Sequence, residues 1–432
     1  MADARPDITG NPAAAERELS LTPEQALALA IERHQLDQLD DAEVIYAALL
    51  ERWPEHPDVL NYMGVLQHQR GEDAAALDLL SHAVEVSPDA SGIWNNLGNV
   101  LKHLRETDEA ERAFRRSIEL AETPQALSNL GSLLRRRGQR AEGEAACRRA
   151  IEIAPAFGDA WHHLTLLLVE QGRIAEAMAA ARRATLLLPP GKRRRGSYTR
   201  ALVNAGHIDD AVVMFREWLA EEPDNAYVRH HLAACLGEGT PERASDAYVE
   251  QSFDEFAPSF DTKLAALGYR APALVAEALA AALPAPARQY DIADLGCGTG
   301  LCGPLVAPWA LRQFEQLDKA ELIAYLQAHR EAFDVVVSAD TLCYFGALEG
   351  VADAARRALR PGGRLVFTVE ALPEDDSASH RLLSHGRYAH RRAYLRSVLD
   401  DAGFVRQRIV ADVLRSEGGL PVHGWLVSAG RD

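Results

Sequence analysis

The stretch that decides the fold of the second half of the chain is Tyr290–Gly300, YDIADLGCGTG. It predicts a short apolar strand ending at Asp294, then a glycine-rich loop and a helix from about Leu301. The loop glycines stand at alternate positions, Gly296, Gly298 and Gly300. Such glycines allow a tight bend and leave room for a ligand, and a helix N-terminus favours an anionic group. The stretch is therefore a candidate nucleotide-cofactor loop.

The sequence after this loop predicts an α/β domain. A continuous apolar strand, Phe333–Asp340, again ends in an acid, as strands buried on both faces of a parallel sheet do. The next predicted elements are a helix, a tight turn and strand, a helix and two strands: 348–359, 360–369, 391–401, 404–410 and 424–428. Strands that alternate with helices, with ligand loops at their carboxyl ends, indicate a doubly wound sheet.

The first half of the chain repeats every 34 residues from about Leu21 to Asn225. Units end at Pro54, Pro88, Pro155, Pro189 and Pro223, and Glu122 replaces the proline once. Small residues stand twelve positions before these ends, at Ala42, Ala76, Ala110, Gly143, Ala177 and Ala211. Residues that are mostly larger stand eight positions before the ends, at Tyr46, Leu80, Phe114, Cys147, Ala181 and Phe215. Small residues let two helices approach, and proline stops the second helix. About six helix–turn–helix units are predicted, with a capping helix at Tyr227–Leu236.

Composition excludes several classes of protein. The chain has 432 residues, enough for two or three domains, and its net charge of −17 disfavours general nucleic-acid binding. Its five cysteines form no CxxC pair, which is typical of reduced intracellular thiols. Neither a secretory signal nor an apolar run of about 20 residues that could span a bilayer is visible. The default expectation is a cytoplasmic protein without a membrane or nucleic-acid partner.

Two family resemblances follow from these motifs. The 34-residue helical period, with first-helix signatures such as Trp94–Gly98 (WNNLG), resembles the tetratricopeptide repeat. The DLGCGTG loop, the acid-terminated central strand, the LRPGG turn and the final strand pair together resemble class I S-adenosylmethionine-dependent methyltransferases. The phrases FDEFAPSFD (253–261), LGYRAP (267–272) and RYAH (387–390) look like the bacterial group that fuses the two.

The resemblance implies a tetratricopeptide-repeat solenoid followed by a Rossmann-like methyltransferase domain that binds S-adenosylmethionine. Asp294 would orient the loop and the methionine ammonium, and the loop residues Gly296, Cys297, Gly298, Thr299 and Gly300 would back the methionine. Asp340, Thr341 and Leu342 would line the other side of the cofactor. Glu321 would accept a hydrogen bond from the adenine amino group. The expected activity is methyl transfer, and no motif in the sequence identifies the methyl acceptor.

One segment departs from the family pattern. Only 40 residues separate Asp294 from Asp334, which leaves room for at most one very short strand between them. We therefore expect the family's ribose-binding strand and its terminal acid to be missing, with Asp318 or Glu315 as candidate substitutes for the acid. The alternative function is a repeat scaffold with a degenerate, non-catalytic methyltransferase-like domain.

A dinucleotide-binding motif is a rival interpretation of the same loop. The glycines of the segment 298–303 fit G-x-G-x-x-G, and Asp318 stands where a ribose acid would be. However, this register starts inside the turn that opens the helix, and Pro304 follows its last glycine at once. It also gives Asp294 no role, so we disfavour it.

Tetratricopeptide-repeat arrays bind peptides on the face that the first helices of their units form. Asn95, Asn96, Asn99 and Asn129 fall on first helices, where side-chain amides can pair with an extended backbone. A basic run, Lys192–Arg195, interrupts the first helix of the sixth unit. It could hold a phosphate or an acidic tail, but a solvated turn is the preferred interpretation in so acidic a protein. Catalytic residues stay unassigned: His385, His390, His423 and Tyr388 are candidate bases, with polar residues in surface segments as the preferred interpretation. No metal site is expected.

The predicted domain organisation has four parts. Residues 1–20 are expected to be disordered, and 21–237 to form the solenoid. Residues 238–288 are a linker with the first helices of the second domain, and 289–432 are the methyltransferase-like domain itself. The predicted function is an S-adenosylmethionine-dependent methyltransferase whose repeats recruit a protein partner or substrate.

Overall fold

The structure is a computed structural model that describes residues 22–189, 193–256, 264–265, 267–311, 317–417 and 419–432, without the side chains of 254–256. The chain divides into two compact units, Met1–Ala201 and Leu202–Asp432. The stretch 1–20, predicted to be disordered, lies outside the described residues. The domain boundaries drawn from the sequence stay predictions.

Helices of nearly equal length follow one another through the first half of the chain. They are α1 (Pro23–Gln35), α2 (Leu39–Arg52), α3 (Pro57–Gln69), α4 (Asp73–Val86), α5 (Ser91–His103), α6 (Thr107–Leu120), α7 (Pro124–Arg136), α8 (Arg140–Ile153), α9 (Gly158–Glu170), α10 (Ile174–Leu187), α11 (Arg195–Asn204), α12 (Ile208–Glu221) and α13 (Ala226–Leu236). The first twelve form the six predicted helix–turn–helix units, and α13 follows alone. The expected repeat architecture is confirmed.

The turn inside each unit contains one residue with a left-handed backbone. Glycine supplies this conformation in four units, at Gly71, Gly138, Gly172 and Gly206. Asp37 and Arg105 adopt it in the other two, with φ of 60° and 67°. Because glycine reaches positive φ without a steric penalty, it is the ordinary solution at such a turn.

The two helices of a unit approach closely where a glycine faces a large side chain. A Cβ atom built on Gly98 of α5 would lie 2.6 Å from the ring of Phe114 on α6. Gly64 faces Leu80 of α4 in the same way, at 2.7 Å. Phe114 and Leu80 are fully buried. The predicted large residues of these two units therefore pack against glycines of the first helices, which were not among the small residues predicted for this role.

The second half of the chain alternates helices with strands. Its elements are α14 (Asp246–Phe256), α15 (Ala271–Ala282), β1 (Ile292–Asp294), α16 (Gly303–Val306), α17 (Leu322–Ala328), β2 (Phe333–Ser338), a 3₁₀ turn (Leu342–Tyr344), α18 (Glu349–Ala358), β3 (Leu359–Ala371), β4 (His380–Leu382), β5 (Tyr388–His390), α19 (Arg392–Asp401), β6 (Val405–Glu417) and β7 (Leu420–Gly430). The predicted order of strands and helices is correct, although β3, β6 and β7 are longer than expected.

These strands form one mixed sheet. β1, β2 and β3 are parallel neighbours, and β7 pairs antiparallel with β3 and with β6. β5 pairs in parallel with the carboxyl end of β3 and antiparallel with β4. A core cluster that includes Val336, Leu365 and Phe367 lies on this sheet against α18 and α19. The Rossmann-like domain with a final antiparallel pair is confirmed.

Two features of this domain differ from the family pattern. Beyond β1, the described residues add a single bridge, between Tyr290 and Ala310, in place of a full strand. The helix after the glycine loop, α16, has four residues and begins at Gly303, because Pro304 occupies its first turn and Pro308 follows its end. The helix expected from about Leu301 is therefore present, but it begins two residues later and is short. No described helix is both long and apolar enough to cross a membrane.

Candidate functional site

The glycine loop lies against the residues that follow β2. Leu295 N donates to Val337 O at 2.8 Å, and the Thr341 hydroxyl donates to Gly296 O at 3.2 Å. Gly296 has a φ of +69°, and a Cβ atom there would lie 2.2 Å from Thr341 Oγ1. Any larger residue would displace one side of the cleft. The structure therefore brings the predicted loop and the predicted Thr341 together.

The rest of the loop is a compact turn. Gly300 N donates to Cys297 O at 2.8 Å. Gly298 and Gly300 both have left-handed φ angles, of 55° and 86°. Cys297 is half-buried, Thr299 is exposed, and burial raises the pKa of the Cys297 thiol. The exposed edge of the turn is thus backbone and a hydroxyl, which a polar ligand could contact.

Asp294 ends β1 with a carboxylate that receives no hydrogen bond from any described residue. It is half-buried, and burial raises its pKa to about 6. An ionised carboxylate in this position is partly stripped of water without a cation to replace it. The structure thus offers an unsatisfied anion at the base of the glycine loop, where a positively charged ligand group would be stabilised.

Asp340 points away from this loop. Its backbone has a φ of 58°, and its N–H donates to Thr368 Oγ1 at 2.9 Å. One carboxylate oxygen accepts from Arg415 at 2.7 Å, and the other is buried without a hydrogen-bond partner among the described residues. Leu342, also predicted to line the cofactor, has its side chain in the core cluster. Their assignment to the cofactor stays a prediction.

A buried cluster of charges, which the sequence did not reveal, lies beside Asp340. Arg415 of β6 donates to Asp340, to Glu370 at the end of β3 and to Glu417. Arg387 donates to the same two glutamates, at 2.6 Å each. We call these five residues the buried ion cluster. The period-2 pattern of β6 gives no signal for it, because its charged residues alternate irregularly with apolar ones.

Burial alone would raise the pKa of Glu370, but His385, Arg387 and Arg415 hold it well below its usual range. Burial would lower the pKa of Arg415, but its three carboxylate partners raise it. Burial dominates for Asp340, whose pKa is raised. The cluster therefore fixes the carboxyl ends of β2 and β3 through paired charges.

The candidate bases divide into buried and accessible residues. His390 and Tyr388 are fully buried, which makes their predicted surface position wrong. His390 Nε2 donates to Gly346 O at 3.0 Å, and burial lowers its pKa to about 4. His423 is exposed. His385 is 32% exposed, and its Nε2 lies 3.3 Å from Glu370 Oε2. Its Nδ1 is buried without a hydrogen-bond partner among the described residues, so His385 is the partly exposed candidate that a carboxylate orients.

The residues predicted for the nucleoside end of the cofactor are less well placed. Glu321 caps α17, where one of its carboxylate oxygens accepts from Ala324 N at 2.7 Å. Asp318 is exposed and hydrogen-bonds Tyr325. Glu315 lies outside the described residues. Neither substitute for the ribose acid is shown at the end of a strand.

The asparagines predicted to bind a partner meet on the surface of the first helices. Asn96 donates to Asn61 of α3 at 2.9 Å, and Asn129 of α7 donates to Asn95 at 3.0 Å. Asn99 accepts from Lys102 at 3.1 Å. We call the set Asn61, Asn95, Asn96, Asn99 and Asn129 the asparagine row. Asn61 was missed, although it precedes Asn95 by one 34-residue period.

Two histidines and an aspartate also meet between neighbouring units. The Nδ1 atoms of His68 and His103 each lie 2.6 Å from an oxygen of Asp73. Imidazole and carboxylate groups bind metals, and the three ligand atoms lie within 4.8 Å of one another. Burial would raise the pKa of Asp73, but hydrogen bonds from both histidines lower it. Because these hydrogen bonds alone explain the cluster, the absence of a metal site stays our prediction.

The basic run 192–195 is less solvated than predicted. Its last residue, Arg195, begins α11 and is 5% exposed. Arg194 is exposed and lies 3.8 Å from Asp159. Lys192 lies outside the described residues.

Comparison with known families identifies both halves of the chain. A family described as "Methyltransferase domain" matches residues 267–406. A family described as "Tetratricopeptide repeat" matches residues 27–91 and 95–156. Both predicted resemblances are therefore confirmed, whereas the bacterial origin of the fusion is not tested by them.

A human protein named "Methyltransferase-like protein 27" is 41% identical over 83 residues, which cover 19% of this chain. The match spans only 33% of that relative. Among solved structures, "MamA" is 21% identical with a TM-score of 0.33, over 37% of this chain and 93% of its own. "YrrB: a TPR protein with an unusual peptide-binding site" is 19% identical with a TM-score of 0.34, over 43% of this chain and 96% of its own.

Proposed function

Because the chain joins tetratricopeptide repeats to a methyltransferase domain, we propose that it is an S-adenosylmethionine-dependent methyltransferase whose repeats bind a protein partner or substrate. The observation that carries the cofactor is Asp294, a half-buried carboxylate without a described hydrogen-bond donor, at the base of a glycine loop packed against Thr341. A cationic ligand with an extended polar body fits such a site.

The residues present fit the methionine part of the cofactor. Asp294 would accept from its ammonium group, and the backbone of 296–300 would lie along it. The close packing of Gly296 on Thr341 supports this role, since a Cβ atom would close the cleft. Glu321 keeps one carboxylate oxygen free of its helix cap and would accept from the adenine amino group.

Bound S-adenosylmethionine supplies an activated methyl group, so the protein has to align the acceptor and exclude water. His385, held beside Glu370 at 3.3 Å, could take a proton from an acceptor. The buried ion cluster would keep this pair in position. The acceptor itself is not specified by these residues.

The ribose end fits less well, which keeps a second function in view. Within the part of this segment that the structure describes, one bridge stands where the family has a strand with a terminal acid. A hydrogen bond to a carboxylate contributes about 1.5–3 kcal/mol, so its loss would weaken binding roughly ten- to a hundredfold. A scaffold that has lost cofactor binding is the alternative that this observation favours.

Calorimetric titration of the full chain with S-adenosylmethionine and with its demethylated product separates the two functions. We expect saturable binding of both compounds at one site. A chain that shows no binding at millimolar cofactor would be the scaffold, and the enzyme proposal would be wrong.

A further inference from the structure

A lysine without a counter-ion lies in the asparagine row. Lys102 Nζ donates to Asn99 Oδ1 at 3.1 Å and to Asn129 Oδ1 at 3.5 Å, and it lies 5.6 Å from the centre of the Phe114 ring. An ammonium group has three N–H donors, so one remains. Among the described residues, no carboxylate lies within ion-pair distance of Lys102. Its partners are neutral, and its charge is uncompensated.

The nearest charges are also positive. Burial, followed by the positive charges of Arg136 and Arg194, lowers the pKa of Lys102 to about 8. Arg136 has no ion pair within the described part of the chain, and Arg194 has only the long contact with Asp159. A surface that gathers three such cations attracts anions.

This arrangement contrasts with the other arginines of the repeats. Arg115 pairs with Glu142, Arg149 with Glu122 and Arg173 with Glu176, at 2.6–2.7 Å. Apart from Glu122, which lies between α6 and α7, these residues lie on second helices or on the turns that lead into them. In a chain of net charge −17, carboxylates are abundant, yet none is placed beside Lys102. This half-buried cation of a first helix is therefore left without a carboxylate partner among the described residues.

The asparagine row adds binding capacity for a peptide backbone. Each side-chain amide has two N–H donors and a carbonyl acceptor, and the contacts within the row use only part of them. Asn61, Asn95 and Asn129 recur every 34 residues. A row with this spacing presents amides along the backbone of an extended bound peptide. Lys102 would favour peptides whose side chains are negatively charged.

We propose that the asparagine row binds an extended acidic segment of a partner protein. One carboxylate of that segment would lie at Lys102, and the neighbouring carboxylates of the segment would lie near Arg136 and Arg194. This inference rests on the proposed role of the repeats as a partner-binding surface. The inference specifies an anionic peptide as the ligand of that surface. It also assigns Arg194, which belongs to the basic run 192–195, to the binding site.

The test uses the full chain and fluorescein-labelled hexaglutamate, followed by fluorescence anisotropy. We expect saturable binding that weakens as salt is added, because screening acts on exposed charges. Lys102→Met keeps most of the aliphatic stem and removes the charge, and should weaken binding about tenfold or more. Arg136→Gln should also weaken it. The matched control, Arg149→Gln, removes a charge that is already paired with Glu122 and should bind as the wild type does.

Three results would overturn the inference. Equal affinity of the wild type and Lys102→Met for hexaglutamate would place the anion elsewhere. Preferential binding of a neutral Gly-Ser hexapeptide, lost in Asn95→Ala, would keep a partner surface but refute the acidic class. Absence of binding by hexaglutamate, by that neutral peptide and by hexalysine would also refute the proposed peptide surface, whereas cofactor titration of the same sample reports separately on the enzyme. Far-UV circular dichroism verifies that each variant is folded.

Discussion

The carboxylate of Asp294 ends β1 without a described hydrogen-bond donor, and burial raises its pKa to about 6. A group that is costly to keep ionised in the free protein is typical of a binding site, because its ligand completes its environment. The same residue should therefore weaken the fold and strengthen cofactor binding. These two effects can be measured independently.

Asp294→Asn should stabilise the free protein at neutral pH. The folded-state pKa of about 6 lies above the ordinary 3.8, so the wild type loses stability as the pH rises through this window, and the variant does not. We expect a gain of up to about 3 kcal/mol at pH 7, reduced by the solvent screening of a half-buried group, measured by urea unfolding. Equal stability of both proteins at pH 7 would show that Asp294 is satisfied in the free state.

Cofactor affinity should fall as the pH is lowered through about 6. Asp294 becomes protonated in the free protein there, and a neutral carboxyl no longer attracts the methionine ammonium. Titrations between about pH 5 and about pH 8 should show the loss in the wild type. Asp294→Asn should bind weakly throughout. An affinity independent of pH over this range would remove Asp294 from the site.

Arg415→Met should destabilise the second unit by about 3 kcal/mol, because removing one partner of a buried ion network leaves the remaining carboxylates unpaired. Arg415 is 3% exposed and contacts three carboxylates. Arg408→Met, an exposed position on the same strand, is the control and should change the free energy of unfolding little. Similar losses in both variants, measured by chemical denaturation, would contradict this role.

At the scale of elements, the repeats depend on close approach between the two helices of a unit. Gly98 of α5 faces Phe114 of α6, and each unit turns through one residue in a left-handed conformation. The second domain depends instead on strand order, with β3 at the centre between β2 and β7. Close approach of helix backbones therefore determines the packing of the first half of the chain. Burial of side chains on the sheet determines the packing of the second half.

Gly98→Ala should destabilise the repeats by about 1–3 kcal/mol, because the added methyl group would lie 2.6 Å from the Phe114 ring. Gly92→Ala is the matched control on the same helix, where nothing lies within 4 Å of the added atom. It should be neutral or slightly stabilising, since alanine favours helix. Thermal unfolding that ranks the two variants the other way would contradict the packing described for this unit.

The sequence predicts elements that follow a period, and it fails where contacts are distant. The 34-residue period, the acid-terminated strand and the glycine loop can all be recognised in the amino-acid sequence. Arg415 and Glu370 are 45 positions apart, and no local pattern signals that they meet. Likewise, the burial of His390 depends on Gly346, which a neighbouring loop brings to it. Pro304 lies in the first turn of α16 and Pro308 follows its end, but no length was predicted for this helix.

At the scale of the whole molecule, the chain joins a tetratricopeptide-repeat array to a methyltransferase domain. The division between the compact units falls at Ala201, so α12 and α13 belong to the second unit. There, His230 of α13 donates to Gly386 O at 2.8 Å, next to His385 and Arg387. The helix that follows the last repeat therefore supports the loop that carries a candidate base and part of the buried ion cluster.

The most direct test of the account is calorimetric titration of S-adenosylmethionine into the wild type, Asp294→Ala and the exposed control Asp375→Ala. We predict one binding site in the wild type and in Asp375→Ala, and a loss of about tenfold or more in affinity for Asp294→Ala, with all three proteins folded by circular dichroism. Unchanged affinity in Asp294→Ala would contradict the account, since the cofactor would then bind elsewhere.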